Sequence, residues 1–198
     1  MPDAIARSCI FAVTAIAFAR SVWVVVGFVR TLLRGRSLVA TKWGWVEFSV
    51  VPEPLVIAAV AYVLVTHEAP AVAYSALRVA GATVAGLLAL GGVALTLWAF
   101  LSLPSVASGH YVLQGQPIVE GGAYRWVRHP MYLAVFMIWL SLAAAYFSLL
   151  PLLVLALYVI PVMLLYIREE EALMIEQYGD AYRDYRRRVG GLVPRVRH

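Results

Sequence analysis

The chain has 198 residues, 63% of them hydrophobic and 14% charged, with a formal net charge of +5; its mean hydropathy is +0.82. Soluble domains carry about 25% charged residues, so this composition excludes an ordinary water-soluble enzyme and points to one integral membrane domain. The positive charge is almost wholly arginine at the flanks of apolar runs, which fits anionic lipid headgroups and argues against nucleic acid as a partner. Cys9 is the only cysteine, and His67, His110, His129 and His198 are scattered. No intrachain disulfide and no metal site are therefore expected.

A helix rises about 1.5 Å per residue, so about 20 apolar residues cross a hydrocarbon core of about 30 Å. On this measure the sequence predicts an all-α bundle of about five transmembrane helices. The first span is Cys9 to Val29. Arg20 inside it, with no small-residue cleavage site, marks a retained span rather than a cleaved leader. Arg20 itself reads as snorkelling or as facing other helices. The connector Arg30 to Trp45 is basic. The second span is Val46 to Thr66, but Pro52 and Pro54 around Glu53 move its true start toward Leu55. Glu53 reads as interfacial or as lining a cavity.

After a short turn, His67 to Ala76, the third span is Leu77 to Leu101. Gly81, Ala85, Gly86, Ala89, Gly91 and Gly92 give it small faces for close helix packing. They follow no strand, so they form no dinucleotide-binding loop. Pro104 to Val127 is a glycine-rich connector. The fourth span, Met131 to Phe147, opens after Pro130, which suits a first helical turn. A break at Ser148 to Pro151 precedes the fifth span, Leu152 to Ile167, with Pro161 as a kink. Spans four and five are expected to form a tight hairpin. In the tail, Tyr178, Tyr182 and Tyr185 recur at i, i+4 and i+7, so an amphipathic helix lying on the membrane is expected. The chain divides into an N-terminal three-span part, 1–101, and a second part, 102–198, that carries the polar motifs.

With five spans the first connector, the third connector and the tail share one side, which holds thirteen of the sixteen Lys and Arg. The positive-inside rule makes that side cytoplasmic and puts the amino terminus outside. Composition rich in Ala, Val and Arg, with Lys42 the only lysine, suggests a bacterial inner membrane.

Two polar clusters flank the last two spans. The first is Gly122-Ala123-Tyr124-Arg125-Trp126-Val127-Arg128-His129-Pro130-Met131-Tyr132. It opens a helix whose first N–H groups are unpaired, so with Arg128 it offers a place for a carboxylate or phosphate. The second is Arg168-Glu169-Glu170-Glu171. Successive helical residues turn about 100°, so only one or two of the glutamates can face a common pocket. A buried glutamate needs a cationic partner. Physics alone leaves open whether that partner is a sulfonium or ammonium group of a cofactor or Arg128 itself. Two crossings out and back make the two clusters one polar site at the membrane surface.

Gly122 to Tyr132 resembles the pattern GxYxxxRHPxY. Glu170-Glu171, Tyr178-Gly179, Tyr182, Tyr185, Val189 and Pro194 resemble EE…FGxxYxxYxxxV…P, with Tyr178 in place of the usual Phe. Together, over residues 112–195, these are similar to the isoprenylcysteine carboxyl methyltransferases and their phospholipid-methyltransferase-like relatives. The resemblance implies a membrane enzyme using S-adenosylmethionine, with the cofactor in a cytoplasmic pocket formed by the last two spans, the preceding loop and the tail. It places Gln116, Pro117, Ile118 and Val119 at the cofactor's border. It gives Tyr124, His129, Pro130, Met131 and Tyr132 as lining and Glu170 as the holder of a polar group. Arg128, His129 and Tyr132 are the catalytic candidates. In the prenyl-protein enzymes an arginine four residues before the first conserved Glu binds substrate. Here that position is Tyr166, and Arg168, two residues closer, is the substrate-binding candidate.

The activity implied is methyl transfer to a lipophilic acceptor: a prenylcysteine-like carboxylate, or another isoprenoid or lipid acid, amine or hydroxyl. A carboxylate acceptor needs no general base; an amine or phenol needs one, with His129, Tyr132 or a tail tyrosine as candidates. Two other readings are a nicotinamide-dependent reductase, since sterol reductases resemble this region, and a non-enzymatic scaffold or small transporter.

Overall fold

The computed structural model describes residues 8, 11, 15, 38–41, 53–67, 75–103, 111–113 and 116–195. Most of the first span, Arg20 included, lies outside them, as do most of the first connector and most of the turn after the second span. The described chain is helical apart from one two-stranded ribbon. In order come β1 (Leu38–Thr41), α1 (Glu53–His67), α2 (Ser75–Leu101), β2 (Tyr111–Leu113) and a 3-10 turn (Gly122–Arg125). Then follow α3 (Pro130–Tyr146), α4 (Leu150–Tyr178) and α5 (Asp180–Arg188). The strands pair antiparallel, Leu38 opposite Leu113 and Thr41 opposite Tyr111. That pairing joins the two connectors that the arginine distribution assigns to one side.

Two of these helices, Val79–Leu101 within α2 and Leu150–Tyr178, are long and apolar enough to cross a membrane. Leu55–Thr66 and Pro130–Tyr146 are apolar but shorter. The 17 residues of α3 extend about 25 Å, just under the hydrocarbon thickness. α4 outruns its predicted end. Its apolar part stops at Ile167, and the helix then continues, polar, from Arg168 to Tyr178. Only residues 150–167 are read as lying in the membrane.

The core forms where three helices converge. Ile57, Val60 and Leu64 of α1 pack with Ile138, Trp139, Leu142 and Tyr146 of α3 and with Leu155 and Val159 of α4. The α2–α3 contact depends on small residues. Ala85 and Ala89 are buried against Ala144 and Ala145. A Cβ on Gly92 would sit 2.9 Å from Ile138 Cγ1, and one on Gly81 would sit 2.5 Å from the Phe147 ring. Gly86, counted with them from the sequence, faces open space.

The α3–α4 turn holds Phe147 at φ 50°, and the Ser148 hydroxyl accepts the Leu150 N–H at 3.1 Å. This makes the hairpin that the Ser148–Pro151 break predicts. Residues 155–159 of α4 form one π-helical turn just before Pro161. Proline has no N–H for the carbonyl four residues back, and a π turn is one way a helix absorbs that loss.

The tail departs from the sequence reading. Tyr178, Tyr182 and Tyr185 do not share one helix. α4 ends at Tyr178, Gly179 takes φ 55°, and α5 begins at Asp180. Tyr182 and Tyr185 are buried with Val189 against Ile118, Met174, Ile175 and Tyr178. The apolar face of α5 is thus covered by the protein rather than by lipid.

Candidate active site

The site forms where the start of α3 meets the polar end of α4. His129 is the residue before α3, and Pro130 takes its first helical position. The His129 Nε2 lies 3.0 Å from Glu171 Oε1, and Nδ1 lies 3.6 Å from Glu170 Oε2. The second distance is an ion-pair separation rather than a hydrogen bond. The two clusters, more than forty residues apart in sequence, are one structure.

The three glutamates divide as helical geometry requires. Glu171 is 7% exposed. One of its oxygens accepts from Arg128 Nε at 3.0 Å and Nη2 at 2.6 Å, and the other lies 3.1 Å from Arg186 Nε. Glu170 keeps a fifth of its side chain exposed (20%) beside His129. Glu169 faces outward. Glu171 is therefore the structural carboxylate, neutralised by three cations. Glu170 is the carboxylate that a bound molecule can reach.

Arg128, a catalytic candidate from the sequence, is held within the protein. Besides Glu171, its Nη1 donates to the Arg186 carbonyl at 3.1 Å and to the Val189 carbonyl. Those carbonyls close the C-terminal end of α5, where a cation is favoured. The Arg128 and His129 N–H groups are also engaged, donating to the Gly190 and Gly191 carbonyls at 2.8 and 3.1 Å. The Arg128 side chain and these two N–H groups are thus engaged within the protein.

The electrostatics follow from this clustering. Burial alone favours the neutral imidazole, but the Glu170 and Glu171 carboxylates outweigh it and push His129 up to about 9. Burial likewise opposes the Glu171 charge, yet hydrogen bonds from His129 and Arg128 bring it down to about 2. At neutral pH this favours the imidazolium, the form that pairs with both carboxylates.

The linkage has a definite sign. His129, raised from 6.5 to about 9, contributes stability that is complete below 6.5 and lost as pH rises through 9. Glu171, lowered from 4.5 to about 2, contributes stability that is complete above 4.5 and lost as pH falls toward 2. The melting temperature in micelles is expected to plateau between these limits and to fall on the alkaline side. The alkaline fall should be absent in His129→Gln.

The remaining candidates surround this pair. Tyr132 is in the first turn of α3, its ring centroid 5.7 Å from that of His129. Tyr124 and Met131 meet through hydroxyl and sulfur at 4.0 Å. Pro130 is buried. The 116–119 segment reaches the site through the tail: Ile118 packs in the tyrosine cluster, and Tyr178 donates to the Gln116 carbonyl at 2.8 Å. Pro117 is exposed, while Gln116, Ile118 and Val119 are partly buried. Arg168 is not brought in. It is exposed and continues the outward stripe of Leu157, Leu164 and Leu165, whereas Met163, Tyr166 and Glu171 form the buried side.

Two positioning features escaped the sequence reading. The Ser102 hydroxyl, just past α2, accepts the Ala123 N–H at 3.1 Å and so fixes the 3-10 turn that carries Tyr124. Gly122 takes φ 56°, and a Cβ there would fall 2.0 Å from that hydroxyl. Gly122→Ala is expected to destabilise the chain by about 1–3 kcal/mol, read as a lower melting temperature in micelles. The Gly190-Gly191 pairing with the start of α3 is the second; a glycine pair in a tail gives no sign of its partner.

The phospholipid methyltransferase family model matches residues 80–181, slightly more than half of the chain. That range includes most of α2, the 3-10 turn, α3 and α4, and so both halves of the ion cluster. No curated protein matches the chain. The family is membrane-associated, in keeping with the two crossing-length helices. With its motifs gathered at one helix junction and matched over that junction, the chain belongs to the phospholipid methyltransferase family of membrane methyltransferases.

Proposed function

We propose that the protein transfers a methyl group from S-adenosylmethionine to a lipophilic acceptor at the cytoplasmic face of a bacterial inner membrane. In this reading the chain crosses the membrane five times, amino terminus outside and tail inside, and its partners are its lipid substrate and the surrounding membrane lipids. The observation that carries the reading is Glu170. It is a partly exposed carboxylate beside the His129 imidazolium, supported by a neighbour, Glu171, that three cations neutralise.

This donor set fits the cofactor. Glu170 would hold an amino or hydroxyl group of it, and Tyr124, Met131 and Tyr132 would line it. Gln116, Pro117, Ile118 and Val119 would border it. S-adenosylmethionine supplies a methyl group already activated on a sulfonium, so the protein's part is chiefly positioning. His129 keeps its proton and fixes both carboxylates. Arg128 ties α3 to α4 and α5. Tyr132, if a neutral nucleophile must lose a proton, is the group beside the imidazolium that can take part in it.

The acceptor presents an acid, amine or hydroxyl to this face while its apolar part stays among the helices. Tyr166 is buried on the site side of α4 and Arg168 points outward. This favours a lipid acceptor other than a prenylcysteine carboxylate. The test is transfer of labelled methyl from S-adenosylmethionine to a membrane lipid extract, followed by identification of the product. A labelled lipid supports the reading; label in none of the fractions removes it.

A further inference from the structure

The segment leading into the site has little main-chain support of its own. Among the described residues, no backbone–backbone hydrogen bond outside helices and strands involves residues 117–120. Its support comes from the tail. The Tyr178 hydroxyl donates to the Gln116 carbonyl at 2.8 Å, and Ile118 packs against Tyr182, Tyr185 and Val189. Arg188 Nη2 lies 2.9 Å from Glu120 Oε2. The Tyr185 hydroxyl donates to the Tyr124 carbonyl at 2.7 Å. The tail therefore grips residues 116, 118, 120 and 124 in turn, with a phenol at each end. The Arg188–Glu120 pair is exposed and weak by comparison.

From this geometry we propose that Tyr178 and Tyr185 are positioning residues, whose hydroxyls hold the 116–124 segment in the shape that the cofactor meets. The proposal rests on the reading that this segment borders S-adenosylmethionine. Tyr178 is informative because the resembled pattern has Phe there; the tether to Gln116 is then a feature of this chain. Both rings are buried enough to raise their ionisation above that of a free phenol, so both hydroxyls remain donors at neutral pH. Phe at either position keeps the ring and removes only the donor, which separates the tether from the packing.

The experiment uses the full chain in micelles as wild type, Tyr178→Phe and Tyr185→Phe. Amide exchange over 116–124 is followed without ligand, and S-adenosylhomocysteine affinity and kcat at saturating S-adenosylmethionine are then measured. One lost hydrogen bond of ordinary strength predicts about fivefold faster exchange and about fivefold weaker binding in each variant. The kcat at saturation should stay within about twofold of wild type. A purely structural role would lower the melting temperature and leave the balance of KM and kcat unmoved, and that result overturns the proposal. So does unchanged exchange, or faster exchange with unchanged affinity. Wild-type binding with unaffected variants overturns the proposal alone; a wild type that binds no S-adenosylhomocysteine overturns the proposed function, and the proposal with it.

Discussion

Glu171→Gln is expected to lower the stability of the folded chain by about 3–5 kcal/mol, the cost of breaking a buried ion pair from one side. The substitution keeps the side chain's size, so packing is not the cause. What changes is the charge that Arg128, His129 and Arg186 share. Without it two cations adjacent in the chain face each other in a buried setting. Arg128 also closes the end of α5 through the Arg186 and Val189 carbonyls. Weakening its anchor therefore loosens the tail as well as the α3–α4 junction. Thermal unfolding in micelles, followed by tryptophan fluorescence, checks this. A variant that melts with the wild type would contradict the structural role given to Glu171.

One residue earlier the expectation reverses. Glu170→Gln should cost less stability than Glu171→Gln, because its contact with His129 is longer, 3.6 Å against 3.0 Å, and its side chain is more exposed. Binding should respond strongly. A hydrogen bond to a charged group contributes about 1.5–3 kcal/mol, so S-adenosylhomocysteine affinity should fall by about ten- to a hundredfold. Isothermal titration of the two variants side by side makes the comparison. The prediction is a crossed pattern: stability lost at 171 with some binding retained in the folded fraction, binding lost at 170 with the fold retained. Equal effects on both quantities at both positions would mean that the two carboxylates form one undivided cluster.

Much of this arrangement can be read from the sequence because it depends on hydrophobic runs and their breaks. Ser75–Leu101 and Pro130–Tyr146 match the apolar stretches within two residues, and Glu53–His67 starts two residues before Leu55, beside the prolines that move the start of the second span. The approach of His129 to the glutamates follows from two crossings between them. The division of labour between Glu170 and Glu171 does not. It is set by the rotation of α4, and that rotation depends on the π turn before Pro161 and on the long polar extension of the helix. Arg168 illustrates the same limit: next to the glutamates in sequence, it is exposed and lies about 200° round the helix from Glu170. The tyrosine stripe keeps its helical spacing but is cut at Gly179, because a positive φ ends α4 there. What the stripe then grips, the carbonyls of Gln116 and Tyr124, is invisible to periodicity, since a main-chain acceptor leaves no mark on residue type.

The most direct measurement is binding of labelled S-adenosylmethionine to the full chain in a lipid nanodisc, in wild type and in Glu170→Gln. The account predicts saturable binding to the wild type, displaced by S-adenosylhomocysteine but not by a reduced nicotinamide dinucleotide phosphate, and much weaker binding to the folded variant. Wild-type binding that does not saturate, that yields to the dinucleotide, or that Glu170→Gln leaves unchanged would contradict it.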